Sequence, residues 1–286
     1  MVIDARLLYD ELIAFLENYQ IEDTRFDVRC IMEQVTGKSL ERLFMMGISS
    51  EDENPIRNMT QRRAFREPLQ YILGEWEFYG MRMFVGKGVL IPRPDTETLV
   101  DNVLTWCKHR EVSHIIDLCT GSGCIALALK KHLPDVKVSA VEFSEHALSY
   151  AKKNARYHRL EIDFLHADVL DELTKSSFLE NPVDIIVSNP PYLDGADMAS
   201  LQTEVKHEPA LALAGGADGL RFYRAITNLW KNALKSGGLL AYEIGETQAH
   251  SVSEIMKSHA FRNVQTVKDL AGNDRVVMGE KSSDTL

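Results

Sequence analysis

The chain has 286 residues, 45% of them hydrophobic and 26% charged, with a formal net charge of -10 at pH 7. That length holds one large domain or two smaller ones, and the acid excess disfavours a general nucleic-acid binder, although it leaves room for a local basic groove. The four cysteines, Cys30, Cys107, Cys119 and Cys124, form no CxxC pair and share no zinc-ligand spacing with histidine, so reduced thiols in a cytoplasmic protein without a metal site are expected.

In chain order, "MVIDARLLYDELIAFLENYQ" reads as an amphipathic helix, with Leu7, Leu8, Leu12, Ile13, Phe15 and Leu16 on one broad face. Its acidic residues match neither a secretion signal nor an Arg-rich transit peptide. No apolar run is long enough to span a bilayer, and no membrane partner is expected. Asp23 or Thr24 starts a second helix that Gly37 ends, Ser39 caps "SLERLFMMG", and "NPIRNMTQRRAFRE" is a further helix stopping near Pro68. Residues 1–74 thus form a helical domain. "WEFYGMRMFVGKGVLIP" is aromatic and β-branched, with Gly80, Gly86 and Gly88 as turn signals, and predicts a β-hairpin linker over residues 75–90.

Residues 91–286 form the remaining domain. The helix "DTETLVDNVLTWCKHR" comes first. From His114 the strands "HIIDL", "VKVSAVE", "DFLHAD", "VDIIVS", "GGLLAYEI", "VQTVKDL" and "RVVMGE" are interleaved with four helices: "GCIALALKKHL", "EHALSYAKKNARYH", "GLRFYRAITNLWKNALK" and "ETQAHSVSEIMKSHA". This alternation predicts an α/β fold. The sheet is mostly parallel and seven-stranded, covered by helices on both faces, with an antiparallel strand at the end where "AGND" joins the last two. The polar tail "EKSSDTL" is expected to fray.

Three strand ends carry candidate chemistry. In "DLCTGSGCIA" the strand reaches Asp117, and Gly121 and Gly123 lead into a helix whose free N–H groups suit a nucleotide-like ligand. A ligand-free tight turn is the plainer alternative, and Gly121-x-Gly123-x-x-Ala126 also fits a dinucleotide fingerprint. Glu142 ends the next strand, where a carboxylate can accept both hydroxyls of a ribose. Asp168 ends the third, either to accept from an adenine amino group or to cap a helix over "VLDEL".

The fourth strand, "DIIVS", stops at Asn189-Pro190-Pro191-Tyr192. Two prolines cannot continue a ladder, so the chain leaves the sheet rigidly. A planar amide or exocyclic amine has two N–H donors and a poorly nucleophilic nitrogen. The Asn189 side-chain oxygen and the Pro190 carbonyl can accept both hydrogens, and Tyr192 can stack on the plane. A hydride-transfer enzyme has no use for this tetrapeptide. Together with the glycine loop it points to S-adenosylmethionine and methyl transfer to a planar nitrogen. The alternative substrate is an exocyclic amine of adenine or guanine in DNA or RNA. "VLIPRPDTETLV" is a third dense stretch, in which Pro92 and Pro94 bracket Arg93 and Thr96 can cap the next helix. It is placed to pack across the cofactor mouth.

With these stretches in place, the sequence resembles the HemK/PrmC family of protein-(glutamine-N5) methyltransferases, which act on peptide chain release factors. The likeness covers nearly the whole chain through "EPLQYILGEWEFYG", "VLIPRPDTETLV", "DLCTGSGCIALAL", "SNPPYL", "HEPALAL" and "AGNDRVVMG". It implies a Rossmann-like S-adenosylmethionine-dependent methyltransferase domain, with N-terminal helices that help recognise a class I release factor. It also implies methylation of the glutamine in that factor's Gly-Gly-Gln motif, modulating translation termination. By that likeness Asn189, Pro190, Pro191 and Tyr192 are the catalytic residues that hold the amide. Asp117, Thr120, Gly121, Gly123, Glu142, Asp168, Asn189 and Phe84 bind the cofactor, with Phe84 walling its pocket. Arg93 and Glu97 lie in a family motif without an assigned role. Three positions depart from the family pattern. Cys119 replaces the usual first glycine of the loop and is strained if that backbone needs positive φ. Glu142 replaces an aspartate, and His207 an aromatic residue.

Overall fold

The computed structural model describes residues 2–176 and 180–282. They fall into two units, one of Met1–Trp76 with Gln202–His207, the other of Glu77–Leu201 with Glu208–Leu286. The last four residues of the polar tail lie outside the described residues.

The first unit is helical: α1 (Ala5–Asn18), α2 (Thr24–Thr36), α3 (Leu40–Met46), α4 (Ser50–Ala64) and α5 (Leu69–Leu73), with β1 (Val2–Ile3) paired to β2 (Ile48–Ser49). Side-chain oxygens of Asp4, Ser39 and Ser49 accept first-turn N–H groups of α1, α3 and α4. Gly37 ends α2 in the left-handed region, at φ +65°. Helix α1 buries Ala5, Leu8, Leu12, Ile13 and Leu16, but Leu7 is 69% exposed. The apolar face is thus narrower than the sequence suggested. Helix α4 begins four residues before the predicted "NPIR" start, because Ser49 and the acidic turn Glu51–Glu53 outweigh the start signal of Pro55. Within this unit Arg63 reaches Asp27 at 2.6 Å and Glu204 at 3.1 Å.

The chain then forms a hairpin, β3 (Glu75–Phe78) and β4 (Met81–Phe84), and a 3-10 turn over Pro94–Thr96 that runs into α6 (Glu97–Cys107). The rest alternates: β5 (His114–Leu118), α7 (Cys124–His132), β6 (Lys137–Glu142), α8 (Glu145–His158), β7 (Asp163–His166), β8 (Val183–Ser188), α9 (Gly195–Ala199), α10 (Arg221–Trp230), β9 (Leu234–Glu243), α11 (Ala249–Ser258), β10 (Phe261–Lys268) and β11 (Asp274–Lys281). The seven strands lie in the order β10-β11-β9-β8-β5-β6-β7. Strands β5 to β9 are mutually parallel, while β11 runs antiparallel to β9 and β10 antiparallel to β11. This is the expected sheet.

Side chains alternate between two cores, as the period of two requires. Ile115, Ile185 and Val187 face α6 and α7, whereas Ile116 and Ile186 face Tyr223, Ile226 and Trp230 of α10 and Val252 and Met256 of α11. Two helices differ from expectation. Helix α10 stops at Trp230, and Leu234 is already in β9, so "KNALK" divides between a 3-10 turn and a strand. "VLDEL" is a run of turns.

The amino ends of β5 and β8 are tied by Asp184, which is 9% exposed. Its Oδ2 accepts from the Ser113 N–H and hydroxyl and from the His114 N–H at 2.7–2.9 Å, and its Oδ1 from Lys235 Nζ at 2.6 Å. Burial pushes this carboxyl up, but Lys235, Ser113 and the backbone donors together hold it below the usual range. Asp184→Ala should therefore lose about 2–4 kcal/mol in urea unfolding near neutral pH, since it strands four donors. A folded pKa below the unfolded one gives stability that is present above about pH 4 and lost as pH falls through the folded value. The gap between wild type and variant should accordingly shrink toward pH 3.

Candidate active site

The carboxyl end of β5 sets the first wall. Asp117 is fully buried, and its Oδ2 accepts from Thr120 Oγ1 at 2.5 Å and from the Ala126 N–H at 3.2 Å. It thereby ties the strand to the loop and to the first turn of α7. Its Oδ1 has no partner among the described residues, and burial pushes the carboxyl up to about 7. Cys119 stands at φ +62°, so the first loop position does take the left-handed conformation. A non-glycine residue there costs about 1–2 kcal/mol. Burial and the nearby Glu142 and Asp117 charges hold its thiol protonated.

Gly121 and Gly123 stand at φ +58° and +81°. Nothing lies within 4 Å of where a Gly121 Cβ would be, whereas a Gly123 Cβ would meet Ala151 Cβ at 3.2 Å. Gly121 thus leaves an open face, and Gly123 lets α8 approach the loop. The Gly121 N–H donates to Glu142 Oε2 at 2.8 Å, and the Ser144 N–H to Glu142 Oε1 at 2.7 Å. Burial pushes the Glu142 carboxyl up from its ordinary pKa, and these backbone donors offset part of that rise. Beyond β7, Asp168 Oδ1 accepts from the Leu170 N–H at 2.8 Å, closing a local turn in place of the helix considered from sequence.

Strand β8 delivers Asn189-Pro190-Pro191-Tyr192. The exit is locked by backbone packing: a Cβ on Gly215 would sit 2.7 Å from Tyr192 Cα and 2.8 Å from the Pro191 carbonyl oxygen. Gln248 Nε2 donates to the Tyr192 carbonyl at 2.9 Å, and the Leu193 N–H to Leu213 O at 2.9 Å. Asn189 is half-buried, with Nδ2 3.4 Å from Thr96 Oγ1.

These loops enclose a cavity of about 270 Å³. Cys119, Gly121, Glu142, Asp168, Asn189 and Pro191 line it, together with Phe143, Val169 and Leu170. Gly88–Leu90 close one side, and Pro209, Leu211, Ala212, Arg221 and Phe222 the other. The two closing segments are joined by Glu208, which accepts from the Ile91 N–H at 2.9 Å and pairs with Arg93. Arg93 therefore braces a cavity wall. Glu97 accepts from the Tyr79 N–H at 2.7 Å and fixes the hairpin turn.

Not every expected residue reaches the cavity. Asp117, Thr120, Gly123 and Pro190 support its walls from behind. Tyr192 packs beside the second core rather than on the wall. Phe84 does not line the cavity: its ring meets Tyr157 edge-on, with Lys153 3.9 Å above it. Its backbone N–H and C=O are bonded to the Asn154 amide, which also donates to Ser122 O, so Asn154 links Phe84 to the loop. The sequence reading missed Glu208, Glu243, Gln248 and Arg275. Glu208 and Arg275 lay in the family stretches "HEPALAL" and "AGNDRVVMG", and that was their only functional signal.

A glycine loop, a strand-end acid and Asn189 and Pro191 of Asn-Pro-Pro-Tyr around one cavity of this sheet define the class: a Rossmann-like methyltransferase. Residues 95–218 match the methyltransferase small domain, and residues 8–74 match the PrmC N-terminal domain. The release factor glutamine methyltransferase of Thermodesulfovibrio yellowstonii is 42% identical over 239 residues, 82% of this chain and 84% of that protein. The one from Geobacter sulfurreducens is 37% identical over 278 residues, 96% of this chain and 95% of that protein. A solved structure, the T. thermophilus 16S rRNA N2 G1207 methyltransferase in complex with AdoMet and guanosine, aligns with a TM-score of 0.51. It is 21% identical, covering 72% of this chain and 49% of that one, a likeness of fold. The chain belongs to the release factor glutamine methyltransferase family, as its motifs implied.

The two loop glycines should respond differently to alanine. Gly121→Ala carries backbone strain alone, about 1 kcal/mol. Gly123→Ala adds a close contact with Ala151 and should lose about 2–3 kcal/mol. Equal losses in denaturant unfolding would show that α8 does not press on the loop.

Proposed function

We propose that this protein transfers the methyl group of S-adenosylmethionine to the side-chain amide nitrogen of the glutamine in the Gly-Gly-Gln motif of class I peptide chain release factors, in the cytoplasm. The observation that carries this is the place of Asn189. It sits on the wall of the cavity that also presents Gly121 and Glu142, with its Nδ2 toward Thr96, which leaves Oδ1 to accept from a substrate N–H. Under this reading residues 1–74 recognise the factor, residues 75–90 link, and residues 91–286 catalyse.

The cavity suits the cofactor. Each Glu142 oxygen already accepts one backbone N–H and keeps a lone pair, so the carboxylate can take the two ribose hydroxyls. Gly121 leaves room for the methionine portion. Asp168, Val169 and Leu170 offer one acceptor and apolar cover to the base. S-adenosylmethionine, when bound, supplies an electrophilic methyl group.

The chain's own residues hold the acceptor of that methyl. An amide nitrogen shares its lone pair with the carbonyl, so positioning rather than a strong base is the main requirement. Asn189 Oδ1 fixes one N–H donor, and the prolines that follow stop that acceptor from moving during transfer. After transfer the nitrogen is acidic and sheds a proton without a dedicated base.

With purified class I release factor and labelled cofactor, peptide mass spectrometry should find one methyl on the Gly-Gly-Gln glutamine. A factor carrying alanine at that glutamine should take none. Label on DNA or RNA instead would replace this reading with exocyclic amine methylation. Asn189→Ala should lower kcat by about 10²–10³-fold and leave cofactor affinity intact. Glu142→Ala should weaken cofactor binding by about 1–3 kcal/mol in calorimetry. Unchanged affinity would reduce Glu142 to a loop brace.

A further inference from the structure

Glu243, at the carboxyl end of β9, is a buried carboxylate that the mechanism above does not use. It is 2% exposed, and its Oε2 has no hydrogen-bond partner among the described residues. Ser188 pairs with Tyr242 in the parallel ladder, so Asn189 and Glu243 are the next residues on adjacent strands. Thr96, also 2% exposed, is the third member of the group. Its hydroxyl lies 3.4 Å from Asn189 Nδ2, and the Thr96 and Asn189 side chains both stabilise the charged form of Glu243. Arg275 favours the charge and Asp95 opposes it, while burial, the largest influence, pushes the carboxyl up to about 7. The Tyr223 hydroxyl donates to the Glu243 carbonyl at 2.9 Å and fixes the backbone beneath.

We propose that Glu243 is a positioning residue which, through the Thr96 hydroxyl, fixes the direction in which the Asn189 side-chain amide faces. A carboxylate only accepts, so the Thr96 O–H points at Glu243. The Thr96 oxygen then offers lone pairs to its other neighbour and can receive only the NH2 end of Asn189. That leaves Oδ1 facing the cavity. Reversing the amide would set Oδ1 against the Thr96 lone pairs and the carboxylate, acceptor against acceptor in a dry site. The assignment rests on Asn189 being the acceptor for the substrate amide.

Glu243→Gln keeps the shape and removes the direction. A glutamine amide can donate to Thr96, turn its hydroxyl toward Asn189 and let the amide reverse. Assays at about pH 8.5 keep the wild-type carboxyl ionised. There Glu243→Gln and Thr96→Val should each lower kcat by about 10–100-fold, with the cofactor Kd within about twofold of wild type. Thr96→Ser keeps the hydroxyl and should stay within about threefold. A second readout does not depend on activity. The side-chain NH2 protons of Asn189, assigned by their loss in Asn189→Asp, should exchange about tenfold faster or more in Glu243→Gln than in wild type, because they then face the cavity. A kcat in Glu243→Gln within about threefold of wild type, or an unchanged exchange rate, overturns the proposal. So does a loss of kcat matched by a loss of cofactor affinity, which marks a merely structural residue. If wild type methylates no release factor, the proposed function has failed, and the exchange experiment alone decides whether Glu243 orients Asn189.

Discussion

The site depends on one constraint of the sheet, the reversal of strand order at β5. From β5 the chain passes to β6 and β7 on one side and returns to β8 and β9 on the other. Loops leaving the carboxyl ends of β5 and β8 must therefore diverge, and a crevice opens between them. Cys119 and Gly121 form one lip, Asn189 and Pro191 the other. The amino ends of the same two strands are tied together by Asp184, so the spread at the top is held by a clasp at the bottom.

Carboxylates then convert the crevice into a shaped cavity. Asp117 joins strand to helix, Glu142 joins the glycine loop to the start of α8, and Glu208 joins the two closing segments. Asp117 works within its own strand–loop–helix turn, whereas Glu142 also reaches 21 residues back to Gly121 and Glu208 117 residues back to Ile91. Buried carboxylates are expensive unless hydrogen-bonded, so their number here indicates that geometry at this edge matters more than local stability. Cys119 agrees with that: the loop keeps a left-handed residue without glycine, and the surrounding bonds hold it there.

Much of the fold was legible because it rests on local pattern. The strands could be read from apolar runs and the helices from period and caps. Reading failed where a cap was overlooked and where a local signal met a stronger tertiary one. The helix read from Asn54 begins at Ser50, a local miss of the Ser49 cap. The sequence placed the end of a helix at Lys235 and a strand start at Gly237, yet β9 begins at Leu234, where it pairs with Val183. In the site, residues inside dense motifs could be found and their supports could not. Arg93 meets Glu208 across 115 residues, and Glu243 meets Asn189 only because β8 and β9 are neighbours. No spacing rule carries such pairings.

Charge separates the two kinds of cofactor that a glycine loop can serve. A dinucleotide places its pyrophosphate on free N–H groups at the helix start. Here the Gly121 N–H is already bonded to the Glu142 carboxylate, Asp117 stands behind the loop with an oxygen that has no partner among the described residues, and Asp168 faces the same cavity. A pyrophosphate would meet three acids and lose a donor it needs. A sulfonium with an ammonium group brings the opposite sign to the same place and relieves carboxyls that burial has pushed up. Under the proposed function, the loop that resembles a dinucleotide fingerprint in sequence meets a cation rather than a pyrophosphate.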